Sequence, residues 1–331
     1  MEQKKSTART VLEKFVNVRE AGVLMPLVLC IILFAVKSDK FLTVGNMSNV
    51  MRTAAFTMIT AIGQAYLIIA GSWDISVGAV YSAAGVTAAA LMSYYNVPIW
   101  ISVIMALVLG AIFGAFNGFL VQKIKLPPFV ATMGTMYVAP GLSTGYTKGV
   151  SVYPLPEKFL IVGQKGIQFG DYQLPYVILI AIAMSILAGL VLRYTTYGRK
   201  LYAAGGNGEA ARLAGIPTIR MRFSAFVLTG VLAALTGVLM ASRVGSAQPN
   251  IGSGFEMTVV AACVIGGISM DGGAGSIAGV VMGSIFMAMI SNGMTLIKVD
   301  AYWQMLVIGL VLIFACSLEY LRNRIRLSLN I

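Results

Sequence analysis

Long apolar runs, separated by short polar breaks, occupy most of this chain. Most of them approach the length of about 20 residues at which a helix spans a bilayer. They cover residues 21–36, 54–70, 76–92, 97–121, 128–146, 174–193, 223–241, 257–270, 276–297 and 302–319. Only 11% of the 331 residues are charged, and a soluble globule of this size cannot bury so much apolar surface. The sequence predicts an all-α polytopic membrane protein with about ten transmembrane helices, some of them broken.

The basic residues predict which side of the membrane each loop occupies. Ten crossings place both termini on one side together with loops 122–127 and 193–222, and this side carries 16 of the 24 Lys and Arg residues. Because cytoplasmic loops are enriched in Lys and Arg, both termini are predicted to be cytoplasmic. The net charge of +12 then needs no nucleic-acid partner. The predicted organisation is a cytoplasmic segment 1–20, a transmembrane domain 21–320 and a cytoplasmic tail 321–331.

A weak internal repeat divides the transmembrane domain. Gly110-Ala-Ile-Phe-Gly-Ala-Phe116 precedes Asn117, and Gly283-Ser-Ile-Phe-Met-Ala-Met289 precedes Asn292. The offset of 173 to 175 residues corresponds to five segments, and an odd shift inverts the second copy in the membrane. Chance similarity is the alternative, because Gly, Ala, Ile and Phe are frequent in membrane helices. The repeat predicts two inverted five-helix halves, about 21–146 and 174–319.

Polar, glycine-bearing breaks between the runs are candidate functional positions. Gly71-Ser-Trp-Asp-Ile-Ser-Val-Gly78 follows the second run, and Ala247-Gln-Pro-Asn-Ile-Gly-Ser-Gly-Phe-Glu256 precedes the eighth. Such breaks free backbone groups that can bind a polar solute, although Asp74 and Glu256 can equally cap or begin the next helix. Together with polar residues inside the runs, the breaks suggest a substrate pathway, and satisfied packing contacts are the alternative for each residue. The pathway residues are Gln64, Trp73, Asp74, Ser76, Asn117, Gln248, Asn250 and Asn292.

The longest inner loop, 193–222, carries the signal of a short helix. Asn207 is a favoured N-cap for a helix running from Gly208 to Leu213, and Pro217 would stop its continuation. A small helix flanked by basic residues suits docking into a groove of another protein. An ordinary solvated loop is the alternative.

The chain shows no constellation typical of an enzyme. It contains no histidine, and the glycine loop Gly266–Ser276 lacks both the GxxxxGK[ST] pattern and a preceding strand, which excludes the known nucleotide fingerprints. The acidic residues fall in tails, loops and helix ends, which argues against a proton- or sodium-coupled carrier. Uphill transport would therefore depend on a partner ATPase, and no cofactor is expected in this chain.

Several short stretches, in this order and spacing, resemble the permease subunits of bacterial ATP-binding-cassette importers for simple sugars, the ribose, xylose and autoinducer-2 group. The resemblance covers about residues 41–319. One departure is Gly71-Ser-Trp-Asp74, where the family usually has Gly-Gly-Ile-Asp. The matching stretches are Asp74-Ile-Ser-Val-Gly78, Leu126-Pro-Pro-Phe-Val-Ala-Thr-Met-Gly134, Ala204-Gly-Gly-Asn207, Ala210-Ala-Arg-Leu-Ala-Gly-Ile216, Ser246-Ala-Gln-Pro249, Gly266-Gly-Ile-Ser269 and Gly272-Gly-Ala-Gly275.

The resemblance implies a bacterial inner-membrane permease that pairs with a second copy or a homologue. Two cytoplasmic ATPase subunits would use ATP to drive alternating access, and an extracytoplasmic binding protein facing loops 147–173 and 242–256 would deliver a ribose-like sugar. The same architecture also serves nucleoside or branched-chain amino-acid permeases, and these, with an ion-coupled carrier, are the alternatives. The residues implied in ATPase coupling are Ala204, Gly205, Gly206, Asn207, Glu209, Ala210, Ala211, Arg212, Leu213 and Gly215.

Overall fold

Helices make up most of the computed structural model, which describes residues 21–170 and 172–328. The predicted segment 1–20 and residues 329–331 of the predicted tail lie outside the described residues. A short antiparallel hairpin, β1 (Gly166–Phe169) and β2 (Tyr172–Pro175), precedes the seventh helix. The helices are α1 (Ala21–Lys37), α2 (Val44–Ile69), α3 (Val77–Tyr94), α4 (Ile99–Gln122), α5 (Pro128–Thr147), α6 (Glu157–Gln164), α7 (Tyr176–Tyr194), α8 (Thr196–Gly206), α9 (Gly208–Leu213), α10 (Thr218–Val244), α11 (Phe255–Ile265), α12 (Ile277–Leu296) and α13 (Ala301–Ser328).

Each of the ten predicted apolar segments overlaps one helix of the structure. Within the described residues, six helices are long and apolar enough to cross a membrane, namely α2, α3, α4, α7, α10 and α12. Helix α11 has only 11 residues, which fits the expectation that some helices are broken. Helix α13 continues to Ser328, so the predicted tail is helical over its first eight residues. The structure is therefore that of a polytopic, helical membrane protein.

Helices α2 and α10 cross at the centre of the molecule. Every residue of α2 from Ala54 to Ile69 is buried. At the crossing the Thr60 hydroxyl donates to the Thr236 hydroxyl over 2.8 Å. A Cβ on Gly63 would lie 2.7 Å from Cα of Thr229, so only glycine lets the two backbones approach this closely.

Glycines on α4 and α12 serve the same packing purpose. A Cβ on Gly114 of α4 would lie 2.9 Å from Cα of Val227 on α10. A Cβ on Gly283 of α12 would lie 3.0 Å from the carbonyl carbon of Ala262 on α11. Both glycine faces are thus filled by neighbouring backbone, which leaves no room for a solute there.

The segments that connect the helices gather at two opposite ends. At one end the α2–α3 loop, helix α8 and the α11–α12 loop meet, and the backbone N–H of Gly273 donates to Ile69 over 2.8 Å. At the other end Val152, which follows α5, pairs with Ala247, which follows α10. The Ser93 hydroxyl also donates to the Pro154 carbonyl there. We call these ends the coupling end and the opposite end.

Candidate transport and coupling sites

Three of the eight pathway residues form one hydrogen-bond network before α3. Asp74 Oδ1 accepts from the Ser76 backbone N–H over 2.7 Å and from the Ser76 hydroxyl. Asn117 Nδ2 donates to Asp74 Oδ2 over 3.3 Å, and the Thr135 hydroxyl donates to Asn117 Oδ1. All four side chains are buried. The network therefore fastens the α2–α3 loop to α4 and α5.

Asp74 carries a carboxyl group and is buried, with only 1% of the residue's surface exposed. Burial raises the pKa of this carboxyl, and the hydrogen bonds from Ser76 and Asn117 lower it by less. Among the described residues, helix α3 has Ser76 as its N-cap and no side-chain capping hydrogen bond, so Asp74 binds the N-cap residue and does not itself cap the first turn. In this conformation the polar atoms of the network bind one another, as the packing alternative requires.

Gln64 lies in the second half of α2, and within the part of the chain that the structure describes its side-chain amide is not satisfied by hydrogen bonds. Its side chain is 0% exposed, and among the described residues neither of its amide atoms has a hydrogen-bond partner. Leaving a buried polar group unsatisfied costs about 1–3 kcal/mol. A structural role alone therefore does not account for a glutamine at this position.

The other five pathway residues form no part of this hydrogen-bond network. Asn292 of α12 exchanges two hydrogen bonds of 2.9 Å with Asn46 of α2. Trp73 packs half-buried against the core. Gln248 and Asn250 are exposed in the loop after α10. The structure thus joins three of the eight predicted residues in one hydrogen-bond network and leaves the remaining five outside it.

The loop after α10 enters the helix bundle before α11 begins. Ala247 still lies at the opposite end, paired with Val152. Five residues later the backbone N–H of Gly252 donates to the Ser82 hydroxyl over 2.8 Å, and a Cβ on Gly252 would overlap the carbonyl oxygen of Gly78. Since both partners belong to the first two turns of α3, the loop descends along that helix. Helix α11 therefore starts inside the protein.

Glu256 occupies the first turn of this short helix, as the sequence alternative allowed. Its Oε1 accepts from the backbone N–H of Gly254 over 3.1 Å. Its side chain is buried. A carboxylate at this position interacts favourably with the positive end of the helix dipole, which gives Glu256 a structural role at the buried start of α11.

The predicted short helix in the 193–222 loop is confirmed as α9. Asn207 is its N-cap, and Asn207 Oδ1 accepts from the backbone N–H of Ala210 over 2.9 Å. Helix α8 precedes it and was not predicted, because its 11 residues, rich in polar residues and glycine, form no apolar run. The loop is therefore a pair of short helices rather than an irregular segment.

Helix α9 turns most of its side chains outward. Leu213, at its end, is 81% exposed, whereas Ala211 is buried against the rest of the chain. Leu213 is thus an exposed apolar side chain among polar and charged groups. The outward residues of α9 are Glu209, Ala210, Arg212 and Leu213.

Beside α8, three segments of the chain meet through glycines. A Cβ on Gly205 would overlap the carbonyl oxygen of Ile69. Three of these glycines also have φ values of +79°, +86° and +69°, which other residues rarely adopt. The contact, which we call the glycine junction, consists of Gly71, Gly205, Gly206, Gly272 and Gly273.

The described residues offer few other ligand sites. No group of three or more Asp, Glu or Cys residues within them could hold a metal ion. A cavity of about 350 Å³ lies between α3, α4 and α5, but its lining is mostly apolar.

Comparison with known proteins identifies the family. The family described as "Branched-chain amino acid transport system / permease component" matches residues 46–316. The chain belongs to this family. The permease is 35% identical over 303 residues to the L-arabinose transport system permease protein AraH of Escherichia coli, covering 92% of this chain and 91% of the relative. Over 318 residues it is 31% identical to the galactose/methyl galactoside import permease protein MglC of Escherichia coli, covering 92% and 95%.

A third relative extends this comparison to another sugar. The permease is 29% identical over 364 residues to the xylose transport system permease protein XylH of Haemophilus influenzae, covering 92% of this chain and 97% of the relative. The family range 46–316 includes every pathway residue and every coupling residue predicted from the sequence. The resemblance to sugar-importer permeases is confirmed.

Proposed function

We propose that this permease is the membrane subunit of an ATP-binding-cassette importer that carries a simple sugar. The main support is the match, over about nine-tenths of the chain, to relatives named for arabinose, galactose and xylose. The family description names branched-chain amino acids, so an amino-acid substrate is the alternative to test. In both cases the energy comes from a partner that hydrolyses ATP.

The packing of the helices supports two inverted halves with ten crossings. Helix α4 packs on α3 of its own half and on α10 of the other half. Helix α12 packs in the corresponding way on α11 of its own half and on α2 of the first half. Equivalent helices of the two proposed halves thus each pack on the other half. This is expected when two similar five-helix units interlock.

The coupling end is the cytoplasmic end in this proposal. It carries the basic loops 122–127 and 193–222, and cytoplasmic loops are enriched in Lys and Arg. Loops 147–173 and 242–256 then face the extracytoplasmic side, where a binding protein would deliver the substrate. Both termini are placed in the cytoplasm by the same argument.

Helix α9 is the proposed docking element for the ATPase. Its outward face combines the exposed Leu213 with charged side chains, so it can fill an apolar groove while polar groups remain at the rim. The inward-facing Ala211 and the glycine junction connect this element to the helix bundle. Movement of the ATPase would thus reach the bundle through α8 and α9.

A second copy is proposed to pack on helix α5. Its exposed face carries large apolar side chains, including Tyr137 and Leu142. Gly134, Gly141 and Gly145 lie on the same face, and no atom lies within 4 Å of a Cβ added to any of them. Glycines spaced by seven and four residues let another helix approach closely in a membrane, so this face is suited to a helix of the partner permease.

The eight pathway residues remain proposals, and the structure suggests an order among them. Gln248 and Asn250 are exposed at the surface and can meet a solute without rearrangement. Gln64 is buried without a hydrogen-bond partner, so it gains most if helix movement brings it to a polar solute. Trp73 and Asn292 are half-buried, whereas Asp74, Ser76 and Asn117 already bind one another.

Transport by the assembled importer tests this function. The complex, purified through a tagged permease, is reconstituted in liposomes and offered labelled arabinose, xylose, galactose, ribose or leucine with its binding protein. ATP-dependent uptake of one of the sugars is expected, and the permease alone should accumulate none. Uptake of leucine only, or accumulation by the permease alone, would overturn the proposal.

A further inference from the structure

Arg222 joins the ends of three helices at the coupling end. It lies in the second turn of α10. Its Nε donates to the carbonyl of Ala70 over 2.9 Å, immediately after α2 ends. One of its terminal nitrogens donates to the carbonyl of Ala204 over 3.1 Å, two residues before α8 ends.

The chemistry of these contacts suits a guanidinium and few other groups. Both acceptors are carbonyls at helix C-termini, where the last four carbonyls lack partners within the helix. A cation there satisfies them and interacts favourably with the negative end of each helix dipole. Because the guanidinium is a flat fork with donors pointing in different directions, Arg222 can bind two helix ends at once.

The surroundings of Arg222 leave no room for the helix ends to slide past one another. A Cβ on Gly208 would lie 3.0 Å from the Arg222 terminal nitrogen, and one on Gly71 would lie 3.5 Å from it. Gly205 packs directly on the carbonyl of Ile69 at the end of α2. A displacement of α8 must therefore carry α2 and α10 with it or break the bonds of Arg222.

Arg222 belongs to α10 and binds the end of α2, and α2 and α10 are the helices that cross at the centre of the molecule. Thr60 of α2 and Thr236 of α10 are hydrogen-bonded there. We propose that Arg222 is the positioning residue that transmits movement of α8 and α9 to this central crossing. The inference rests on the proposed function, because it requires a partner ATPase that moves α8 and α9.

The expected defect is loss of coupling rather than loss of ATP hydrolysis. In reconstituted complexes, Arg222→Met should lower the number of solute molecules transported per ATP hydrolysed by about tenfold or more, while ATP hydrolysis and complex assembly persist. Arg222→Lys keeps the charge but not the fork, so an intermediate ratio is expected. Arg220→Met is the matched control, because Arg220 lies two residues earlier in the same helix and is exposed, and its ratio should remain that of the wild type.

The possible outcomes distinguish a role of Arg222 in transmitting movement from a role in folding. They also distinguish failure of this inference from failure of the proposed function. A purely structural role would lower assembly, hydrolysis and transport together and leave the ratio unchanged. A wild-type ratio in assembled Arg222→Met overturns the inference. If that variant does not assemble, Arg222→Gln, which keeps a single donor group, is measured instead. The same ratio of solute transported to ATP hydrolysed then tests the inference. If the wild-type complex itself shows no ATP-dependent sugar uptake, the proposed function fails instead.

Discussion

Two buried polar residues of α2 show how differently such groups are accommodated in this permease. Thr60 and Gln64 lie one turn apart, and both are 0% exposed. The hydroxyl of Thr60 is bound to Thr236, whereas neither amide atom of Gln64 has a partner among the described residues. Since an unsatisfied buried group costs about 1–3 kcal/mol, Gln64 lowers the stability of this conformation. The proposed role in transport is a reason for a glutamine at this position despite that cost.

Gln64→Leu is therefore expected to separate stability from transport. Leucine has a similar size and no polar atoms, so the free energy of unfolding should be unchanged or rise by up to about 1–3 kcal/mol, while solute uptake falls. Unfolding in detergent and uptake in liposomes measure the two effects. Thr60→Val is the matched control and should lower stability by about 1 kcal/mol. Normal uptake by Gln64→Leu would remove Gln64 from the pathway.

The sequence predicted individual residues when their partners are close along the chain. The N-cap Asn207 bonds to a residue three positions away, and residue preferences at helix ends describe such local contacts well. Arg222 and Ala70 are 152 residues apart, and Asn117 and Asp74 are 43 apart. Contacts of this kind depend on how the helices pack, which residue type and spacing alone do not encode.

At the scale of elements, apolar length was the most informative signal. Each predicted apolar segment overlaps a helix, because a chain in a bilayer must form helices to satisfy its backbone. Helices α6 and α8 and the hairpin β1–β2 were not predicted. They are short, and their positions depend on neighbours such as Ser242, whose hydroxyl accepts from the backbone N–H of Gly163 of α6.

The docking role of α9 makes a prediction at this scale. Leu213→Glu places a charge on a side chain that is 81% exposed, so the permease should fold normally and lose association with the ATPase by about tenfold or more. Co-purification of the ATPase with a tagged permease measures this effect. Val150→Glu is the matched control, because it makes the same kind of change on an exposed residue at the opposite end. Retention of the ATPase by Leu213→Glu would exclude α9 as the docking element.

At the scale of the whole molecule, helices from the two proposed halves meet at one crossing. Helices α2 and α10 form this crossing, helix α4 also packs on α10, and helix α12 also packs on α2. The sequence repeat predicts two halves, but a repeat carries no information on how their helices pack together. In the proposed arrangement the halves interlock, so a contact such as that of Arg222 at one end of the molecule can influence both of them.

The exposed face of α5 makes a prediction about assembly. A large apolar face with open glycines is costly to leave without a helix partner, because close packing of helices is a main source of stability in a membrane. Gly141→Leu fills this face, and it should weaken pairing of two permeases by about tenfold or more while leaving each chain folded, since nothing lies within 4 Å of the added Cβ. Native mass measurement of the purified complex reports the pairing. Gly309→Leu on α13 is the control, because its added Cβ also meets no atom within 4 Å; loss of pairing in this variant alone would move the interface from α5 to α13.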